Sequence, residues 1–300
     1  MPEGRIILIA GPTASGKSEL ALEVAERLAG EILSVDATAV YRGLDVGSAK
    51  PDAAARRRVP HHLLDVADPW ESYTLGRFLA DARRCLLRVR DAGRAAVLVG
   101  GTGLYARALV EGWRPPPPPD PQVRAALTRR AREEGVPALW RELRARAPDV
   151  AARLAPNDRT RVVRALERLA AGDRPSSGEG GRDPSLSLVG EVEAYVLEPE
   201  REGLARRIEA RAQAQFAAGL LEETLTLLGR GVPPHAPALR SIGYRCAVAW
   251  ALGRATEEEA LRRTVRDTLS LARRQRTWWR SVPWARRVPP AVAHRLLLGR

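Results

Sequence analysis

A glycine-rich loop carries the clearest chemical signature in the sequence. GPTASGKS (Gly11 to Ser18) fits the pattern G-x-x-x-x-G-K-[ST], follows a short apolar run and precedes a helical pattern. In such a loop, backbone N–H groups turn towards phosphate oxygens, the lysine neutralises charge, and the final hydroxyl can hold Mg²⁺. The sequence predicts a site for at least two phosphates, formed by Gly11, Pro12, Thr13, Ala14, Ser15, Gly16, Lys17 and Ser18, with Ser18 as the Mg²⁺ ligand.

A carboxylate follows the next apolar run. Asp36 ends EILSVD, and ligands of open α/β sheets bind at the carboxyl edge of the strands. There it could hold Mg²⁺ or accept a proton, but an aspartate after a strand also commonly caps the following turn. The loop and this aspartate leave open whether the site hydrolyses a nucleotide, transfers a phosphoryl group or holds a diphosphate as a leaving group.

Short apolar runs alternate with helical patterns in the first third of the chain. Strands are predicted at Arg5 to Gly11, Glu31 to Asp36 and Arg94 to Gly101, and a helix at Glu19 to Ala29. Strands that each follow a helical stretch are typical of a parallel sheet with crossover helices. The predicted fold class is α/β, with a P-loop NTPase-like parallel sheet core and an inserted helical domain.

Proline and glycine mark the predicted domain boundaries. The prolines at 115–119 cannot continue a helix or a central strand, so residues 1–120 form the first part of the core. Residues 121–184 are predicted to be a helical insertion that ends in an exposed loop at Gly172 to Ser185. The core continues over 185–300, with a strand at Ser187 to Pro199, a helical pattern at Glu202 to Leu228 and basic helices after it.

The charge balance favours a nucleic-acid partner. The net charge is +13, and Lys17 and Lys50 are the only lysines, so arginine supplies the rest. Guanidinium groups bind phosphate through a planar fork and stack on bases. A coding bias would explain arginine in place of lysine, but not the excess over acids. The stretch from Arg262 to Arg300 holds one acid, Asp267, and is interleaved with tryptophans.

Other residue types point to ordinary structural roles. No apolar run approaches the roughly 18 residues that span a bilayer, and MPEGRIILIAG lacks a basic signal-peptide region, so we expect a cytoplasmic protein without a membrane. Cys85 and Cys246 match no metal-ligand spacing. His61 and His62 are adjacent with no third ligand nearby, so a structural role is expected.

A series of motifs spans nearly the whole chain and resembles the tRNA dimethylallyltransferases, also called tRNA isopentenyltransferases or the IPP transferase family. After GPTASGKS the motifs are SVDATAVYRGLDVGSAKP, HHLLDVADPWESYTLGRF, LVGGTGLYARALVEG, NDRTRVVRALE, RIEAR with AAGLLEE, RSIGYR and ARRQRTWWR. The resemblance implies transfer of a dimethylallyl group from dimethylallyl pyrophosphate, bound in the phosphate loop in place of a nucleotide, with release of diphosphate. The acceptor would be N6 of the adenine just 3′ of the anticodon, in tRNAs that read codons starting with U.

The resemblance also implies roles for individual residues. Asp36 would be the general base towards adenine N6, Thr102 would lie beside the reaction centre, and Arg211 would pair with the diphosphate, together with Lys17, Ser18 and Mg²⁺. From pattern alone, Arg211 reads as a solvated helix arginine paired with Glu209. The implied contacts to the tRNA anticodon stem-loop are Asp36, Ala37, Thr38, Ala39, Thr102, Arg124, Arg161, Arg164, Arg240, Ser241, Ile242, Gly243, Tyr244, Arg245, Arg273, Arg274, Gln275 and Arg280.

Aromatic residues in two of these motifs could stack on bases or sugars. We expect this of Tyr244 and of the tryptophans, although one of Trp278 and Trp279 is expected in the core. A monomer is expected.

The chain departs from the family pattern at three positions. Ala37 and Ala39 stand where Ser and Gln are common, and Cys246 stands where Glu is common, so recognition of the target base should differ. Two other function classes stay open: a P-loop kinase of a small metabolite, and a non-catalytic RNA-binding protein with a vestigial phosphate loop.

Overall fold

The computed structural model describes residues 4–118, 120–173 and 181–299 and contains a six-stranded sheet in which every strand pairing is parallel. The strands are β1 (Ile6–Ala10), β2 (Glu31–Ser34), β3 (His61–His62), β4 (Ala96–Gly100), β5 (Val192–Leu197) and β6 (Arg286–Val288), in the order β3-β2-β4-β1-β5-β6. The predicted α/β class is confirmed. The strand after the insertion, β5, returns to pair with β1 at the centre.

Helices connect the strands and are joined by turns and loops. They are α1 (Lys17–Arg27), α2 (Ala53–Arg58), α3 (Leu75–Asp91), α4 (Gly103–Val110), α5 (Pro121–Glu133), α6 (Val136–Arg146), α7 (Pro148–Ala151), α8 (Arg159–Ala170), α9 (Arg201–Ala217), α10 (Leu220–Gly229), α11 (Tyr244–Ala251), α12 (Glu257–Arg280) and α13 (Pro290–Leu298). In the part of the chain that the structure describes, no helix is long and apolar enough to cross a membrane.

The chain divides into two compact units. The first comprises Met1–Val110 with Leu188–Arg300 and contains the sheet, and the second is Glu111–Ser187 and contains α5 to α8. The second unit has its own apolar core, in which Leu139, Leu143 and Val162 are fully buried. Its proline stretch lacks regular structure over 115–118, and Pro119 lies outside the described residues. So do residues 174–180, on which most of the predicted exposed loop falls.

The core of the first unit fixes the level at which the strands end. β1 is buried along its whole length, and α1 packs against the sheet through Leu20 and Val24. Ile9 of β1 and Ser34 of β2 both pair with Val99 of β4. Residues two positions beyond each of these therefore reach the same carboxyl edge, where parallel sheets bind ligands.

One predicted helix is two. The pattern over Glu202 to Leu228 predicted one continuous helix, but the chain breaks between α9 and α10 at Gly219, whose φ is +95°. Glycine adopts this left-handed conformation without steric cost, so it reorients the chain here. The periodicity of the apolar residues continues through the break and concealed it.

Candidate functional site

The phosphate loop connects β1 to α1 as the sequence predicted. Gly11, with a φ of +148°, leaves the strand, and a Cβ there would lie 2.9 Å from the carbonyl oxygen of Leu197, so only glycine fits. Gly16, at φ +87°, precedes α1 directly. The loop therefore ends on the positive N-terminus of an 11-residue helix, where unpaired N–H groups favour an anion.

Lys17 lies at the start of that helix and points back along the loop. Its Nζ donates to the carbonyl oxygen of Pro12 at 3.2 Å. Burial, and then the nearby guanidinium of Arg211, lower the pKa of Lys17 to about 8, against the opposing effect of Asp36. An anionic ligand would stabilise the charged form of Lys17, because a diphosphate would replace the lost solvation and offset the repulsion from Arg211.

Asp36 uses one carboxylate oxygen to fix its own turn. Oδ1 accepts N–H hydrogen bonds from Thr38 at 2.7 Å and Ala39 at 3.2 Å. Among the described residues Oδ2 has no hydrogen-bond partner, and the Asp36 side chain lines a cavity of the first unit that Lys17 and Arg211 also line. The turn-capping role that the sequence left open is therefore present, and it orients the carboxylate without using both oxygens.

Two side chains make three hydrogen bonds that join the turns after β2 and β4 and the phosphate loop. Thr102 Oγ1 accepts the N–H of Ala37 at 3.1 Å. Gln275, on α12, donates from Nε2 to the carbonyl oxygen of Gly101 at 2.9 Å and accepts the Thr13 N–H on Oε1 at 2.9 Å. Thr102 and Gln275 thus connect the turn after β2 to the phosphate loop through the turn after β4.

Arg211, on α9, lies half-buried in the cavity. Within the described residues its guanidinium has no hydrogen bond and no ion pair, and it is not paired with Glu209. Burial lowers the pKa of Arg211, and the negative charge of Asp36 partly offsets this effect. A partly buried cation without a protein counterion favours an external anion, since burial weakens its contact with water.

A cavity of about 860 Å³ in the first unit brings most of the predicted substrate residues together. Of the predicted residues it is lined by Thr13, Lys17, Ser18, Asp36, Ala37, Thr38, Ala39, Thr102, Arg211, Arg240, Ser241, Ile242, Arg274 and Gln275. Sequence reasoning missed Lys50, Gln215 and His61, which also line it. Lys50 lies in the motif SVDATAVYRGLDVGSAKP, but no spacing rule marks it as a site residue, and no sequence pattern marks Gln215.

The RSIGYR segment and α12 contain both exposed and buried residues. Arg240, Arg245, Arg273 and Arg280 are exposed, and Arg245 also pairs with Asp267 at 2.6 Å. Tyr244 is fully buried. Its ring is therefore not available to stack on a base in this conformation, contrary to the sequence-based hypothesis. Trp279 is buried in the core, whereas Trp278 is partly exposed and lines the cavity.

In the second unit, arginines that were predicted to contact tRNA surround a buried carboxylate. Glu167, whose side chain is 1% exposed, accepts from Arg124 at 2.5 and 2.7 Å and from Arg164 at 3.1 Å. Burial is the largest single effect and raises the pKa of Glu167, but the two guanidinium partners together outweigh it, so the pKa is lowered. Arg161 pairs with Asp158 at 3.3 Å and is 70% exposed. Part of each guanidinium of Arg124 and Arg161 remains accessible to a phosphate.

The adjacent histidines bond to the protein. His62 Nε2 contacts Glu31 Oε2 at 2.5 Å, and His61 Nδ1 contacts the carbonyl oxygen of Val59 at 2.7 Å. Over residues 4–118, 120–173 and 181–299, no group of three or more His, Cys, Asp or Glu side chains could hold a metal ion.

Sequence comparison gives consistent relatives. A family model described as IPP transferase matches residues 39–282, and one described as isopentenyl transferase matches residues 4–64. A tRNA dimethylallyltransferase of Thermomicrobium roseum is 45% identical over 277 residues, which is 92% of this chain and 83% of that protein. One of Thermus thermophilus is 45% identical over 278 residues, 93% of this chain and 90% of that protein.

Solved structures share the architecture. The tRNA isopentenylpyrophosphate transferase of Bacillus halodurans is 31% identical, with a TM-score of 0.71, covering 99% of this chain and 95% of that one. A eukaryotic dimethylallyltransferase acting on tRNA is 21% identical, with a TM-score of 0.73 and coverage of 91% and 69%, and this likeness concerns the fold.

Proposed function

The chain belongs to the IPP transferase family, and we propose that it transfers a dimethylallyl group from dimethylallyl pyrophosphate to tRNA. The acceptor is N6 of the adenine just 3′ of the anticodon, in tRNAs that read codons starting with U, and diphosphate is released. The observation that supports this most directly is the pair of unneutralised cations, Lys17 and Arg211, in one cavity with Asp36.

The diphosphate of the donor binds in the phosphate loop, Gly11 to Ser18. Backbone N–H groups at the start of α1 and the ammonium of Lys17 face its oxygens, and Arg211 approaches from α9. The exposed Ser18 hydroxyl has no hydrogen-bond partner among the described residues, which fits a ligand for Mg²⁺ bound together with the diphosphate. When bound, Mg²⁺ supplies positive charge to the departing diphosphate.

Asp36 is the proposed general base. The bond between N6 of adenine and C1 of the dimethylallyl group forms, and the bond from C1 to the diphosphate oxygen breaks, with its electron pair leaving on the diphosphate. The N6 proton passes to Asp36, whose Oδ1 is held by Thr38 and Ala39. Lys17 and Arg211 stabilise the charge that develops on the leaving group. Thr102 holds the Ala37 turn beside the base.

The target adenine must leave the anticodon stack to reach this cavity. We assign the tRNA contacts in the first unit to the cavity residues at 36–39, 102 and 240–242 and to the exposed arginines of α12. In the second unit we assign them to Arg124, Arg161 and Arg164. These contacts serve one tRNA anticodon stem-loop, with a monomer as the active species.

The decisive experiment incubates the protein with unmodified tRNA, Mg²⁺ and dimethylallyl pyrophosphate, and a parallel sample contains ATP and no prenyl donor. Mass analysis of the digested RNA should find N6-dimethylallyl adenosine in the first sample only. Consumption of ATP without prenylated RNA would instead identify a P-loop kinase. Retained tRNA binding with neither reaction would identify an RNA-binding protein without activity.

A further inference from the structure

Part of the cavity wall is an irregular segment whose backbone needs partners. Residues 45–50 lie between β2 and α2 without helix or strand, and Gly47, Ser48, Ala49 and Lys50 line the cavity. Buried or half-buried peptide groups outside regular structure must find hydrogen bonds elsewhere. The shape of this wall therefore depends on whatever satisfies the N–H and C=O groups of residues 45–47.

Three side chains from distant helices supply those hydrogen bonds; we call Gln215, Glu223 and Tyr244 the loop clamp. Glu223 Oε2 accepts the N–H groups of Asp45 at 2.9 Å and Val46 at 3.0 Å. Gln215 Nε2 donates to the carbonyl oxygens of Val46 at 3.0 Å and Gly47 at 2.9 Å. Each peptide group so bound is fixed by a side chain more than 160 positions away in the sequence.

Tyr244 links the other parts of the clamp. Its hydroxyl accepts the N–H of Gly47 at 3.0 Å and donates to Glu223 Oε1 at 2.5 Å. Burial and the hydrogen bond to Glu223 raise the pKa of Tyr244, so the hydroxyl stays protonated and keeps donating. The Tyr244 hydroxyl thus binds the backbone of the cavity wall and also orients Glu223, which binds the same segment.

The ring of Tyr244 also fits against the wall. A Cβ on Gly47 would lie 2.5 Å from Tyr244 Cε2 and 2.7 Å from Leu220 Cδ1, so the backbone passes as close to the ring as glycine allows. The ring is fully buried in this contact. A side chain so enclosed contacts the cavity wall and leaves no face for a base.

We propose that Tyr244 is a positioning residue, which acts through residues 45–47 to shape the wall of the donor cavity and does not contact RNA. Lys17 and Ser18 line the same cavity as Gly47 to Lys50, so a change in this wall should alter binding of the prenyl donor. This kinetic consequence rests on the proposed function. Tyr244 thereby has a different role from the tRNA contacts with which family resemblance alone would group it.

The test compares Tyr244→Phe with Tyr73→Phe. Both changes remove one hydroxyl from a buried tyrosine, but Tyr73 donates to Asp81 at 3.0 Å and is not part of the cavity lining. Amide hydrogen exchange over residues 44–50 reports the clamp without any need for activity. Loss of one hydrogen bond that leaves a partner unsatisfied should speed exchange there by about tenfold. Tyr73→Phe should leave that segment at the wild-type rate.

The kinetic arm measures kcat and KM for donor and tRNA separately. For Tyr244→Phe we expect the donor KM to rise about fivefold with the tRNA KM within about twofold of wild type, because phosphate contacts outside this cavity dominate affinity for RNA. A rise confined to the tRNA KM, or exchange and kinetics equal to those of Tyr73→Phe, would overturn the proposal. If wild type makes no prenylated RNA, the proposed function fails, and the exchange result still decides the clamp.

A second variant guards against misfolding of the first. Glu223→Met removes both carboxylate oxygens, including the acceptor of two wall amides, while keeping a side chain of similar length, and it should give the same increase in exchange and the same KM split. In the double variant the effects should be clearly less than additive, because both residues act on one segment. Fully additive effects would contradict a shared clamp.

Discussion

The lowered pKa of Lys17 makes a quantitative prediction about pH. A lysine ammonium ordinarily titrates near 10.5, but burial and Arg211 bring the pKa of Lys17 to about 8 in the free protein. Because only the charged form attracts a diphosphate, donor affinity should be highest below that pKa. Affinity should halve near pH 8 and then fall about tenfold for each further pH unit.

The matched variant is Lys17→Arg, whose guanidinium stays charged throughout this range. It should bind the donor more weakly at pH 7 because the geometry differs, but its affinity should stay flat from pH 7 to about 10. Neighbouring charges should move the wild-type midpoint in opposite directions. Arg211→Gln removes a repelling cation and should raise the pH at which donor affinity is halved, whereas Asp36→Asn removes an attracting anion and should lower that pH.

Calorimetric titration with dimethylallyl pyrophosphate and Mg²⁺ across this range measures the effect without turnover. The donor keeps its full charge there, so the protein is the titrating partner. Binding should also take up protons near pH 8, since the bound anion raises the pKa of Lys17. Wild-type affinity that stays constant to about pH 9.5, or a decline that Lys17→Arg reproduces, would refute the assignment to this ammonium.

Lys17 has a linked effect on stability. Its folded-state pKa lies below the ordinary value, so the unfolded chain binds the proton more tightly. Protonation therefore favours unfolding, and the contribution of Lys17 to the free energy of unfolding should improve as pH rises from about 8 to 10.5. This trend opposes that of ligand affinity, so the two measurements check the same pKa independently.

Three substitutions test other parts of the site. Asp36→Asn removes the proton acceptor but keeps the side-chain oxygen that caps the turn. We therefore expect kcat to fall at least about 100-fold while binding of tRNA and donor persists. Near-normal turnover would show that Asp36 is not the general base. Arg211→Gln should lower kcat/KM for the donor about 100-fold. The control is Arg206→Gln, which changes an exposed arginine on the same helix and should leave kcat/KM at the wild-type value. Equal losses in the two variants would show that the overall positive charge of the helix matters, and not the position of Arg211. The side chain of Lys50 is 1% exposed, and its ammonium bonds to the Tyr41 carbonyl oxygen, Asp45 and Asp65. Lys50→Met should therefore lower the free energy of unfolding, measured by urea titration, by about 3 kcal/mol. A loss under about 0.5 kcal/mol would show that this network does not stabilise the fold.

Local patterns were sufficient for the centre of the fold. Short apolar runs predicted β1, β2 and β4, because strands buried on both faces need continuous apolar sequence, and alternating apolar residues predicted β5. β6 was missed: it has three residues, two of them exposed arginines, and it forms only by pairing with β5 at the edge. Nothing within three residues encodes such a partner.

The site shows the same division between local and distant information. The phosphate loop could be predicted because its glycines, lysine and serine act together within one turn of chain. Tyr244 could not be placed from its neighbours, since its burial depends on Gly47, almost 200 positions earlier. Gln275 was included in a motif, but its two contacts to Thr13 and Gly101 appear only when α12 lies across both turns.

Through Gln275, α12 is hydrogen-bonded to the phosphate loop and to the turn at Gly101. The helix carries exposed arginines on one side, and on the other a single amide occupies a donor of the phosphate loop and an acceptor of the Gly101 turn. A replacement helix without a glutamine at position 275 would lose the hydrogen bonds to both turns, whatever contacts it brought on its outer face. Engineering of tRNA preference in this chain should therefore change residues on the outer face of α12 and leave the helix itself in place.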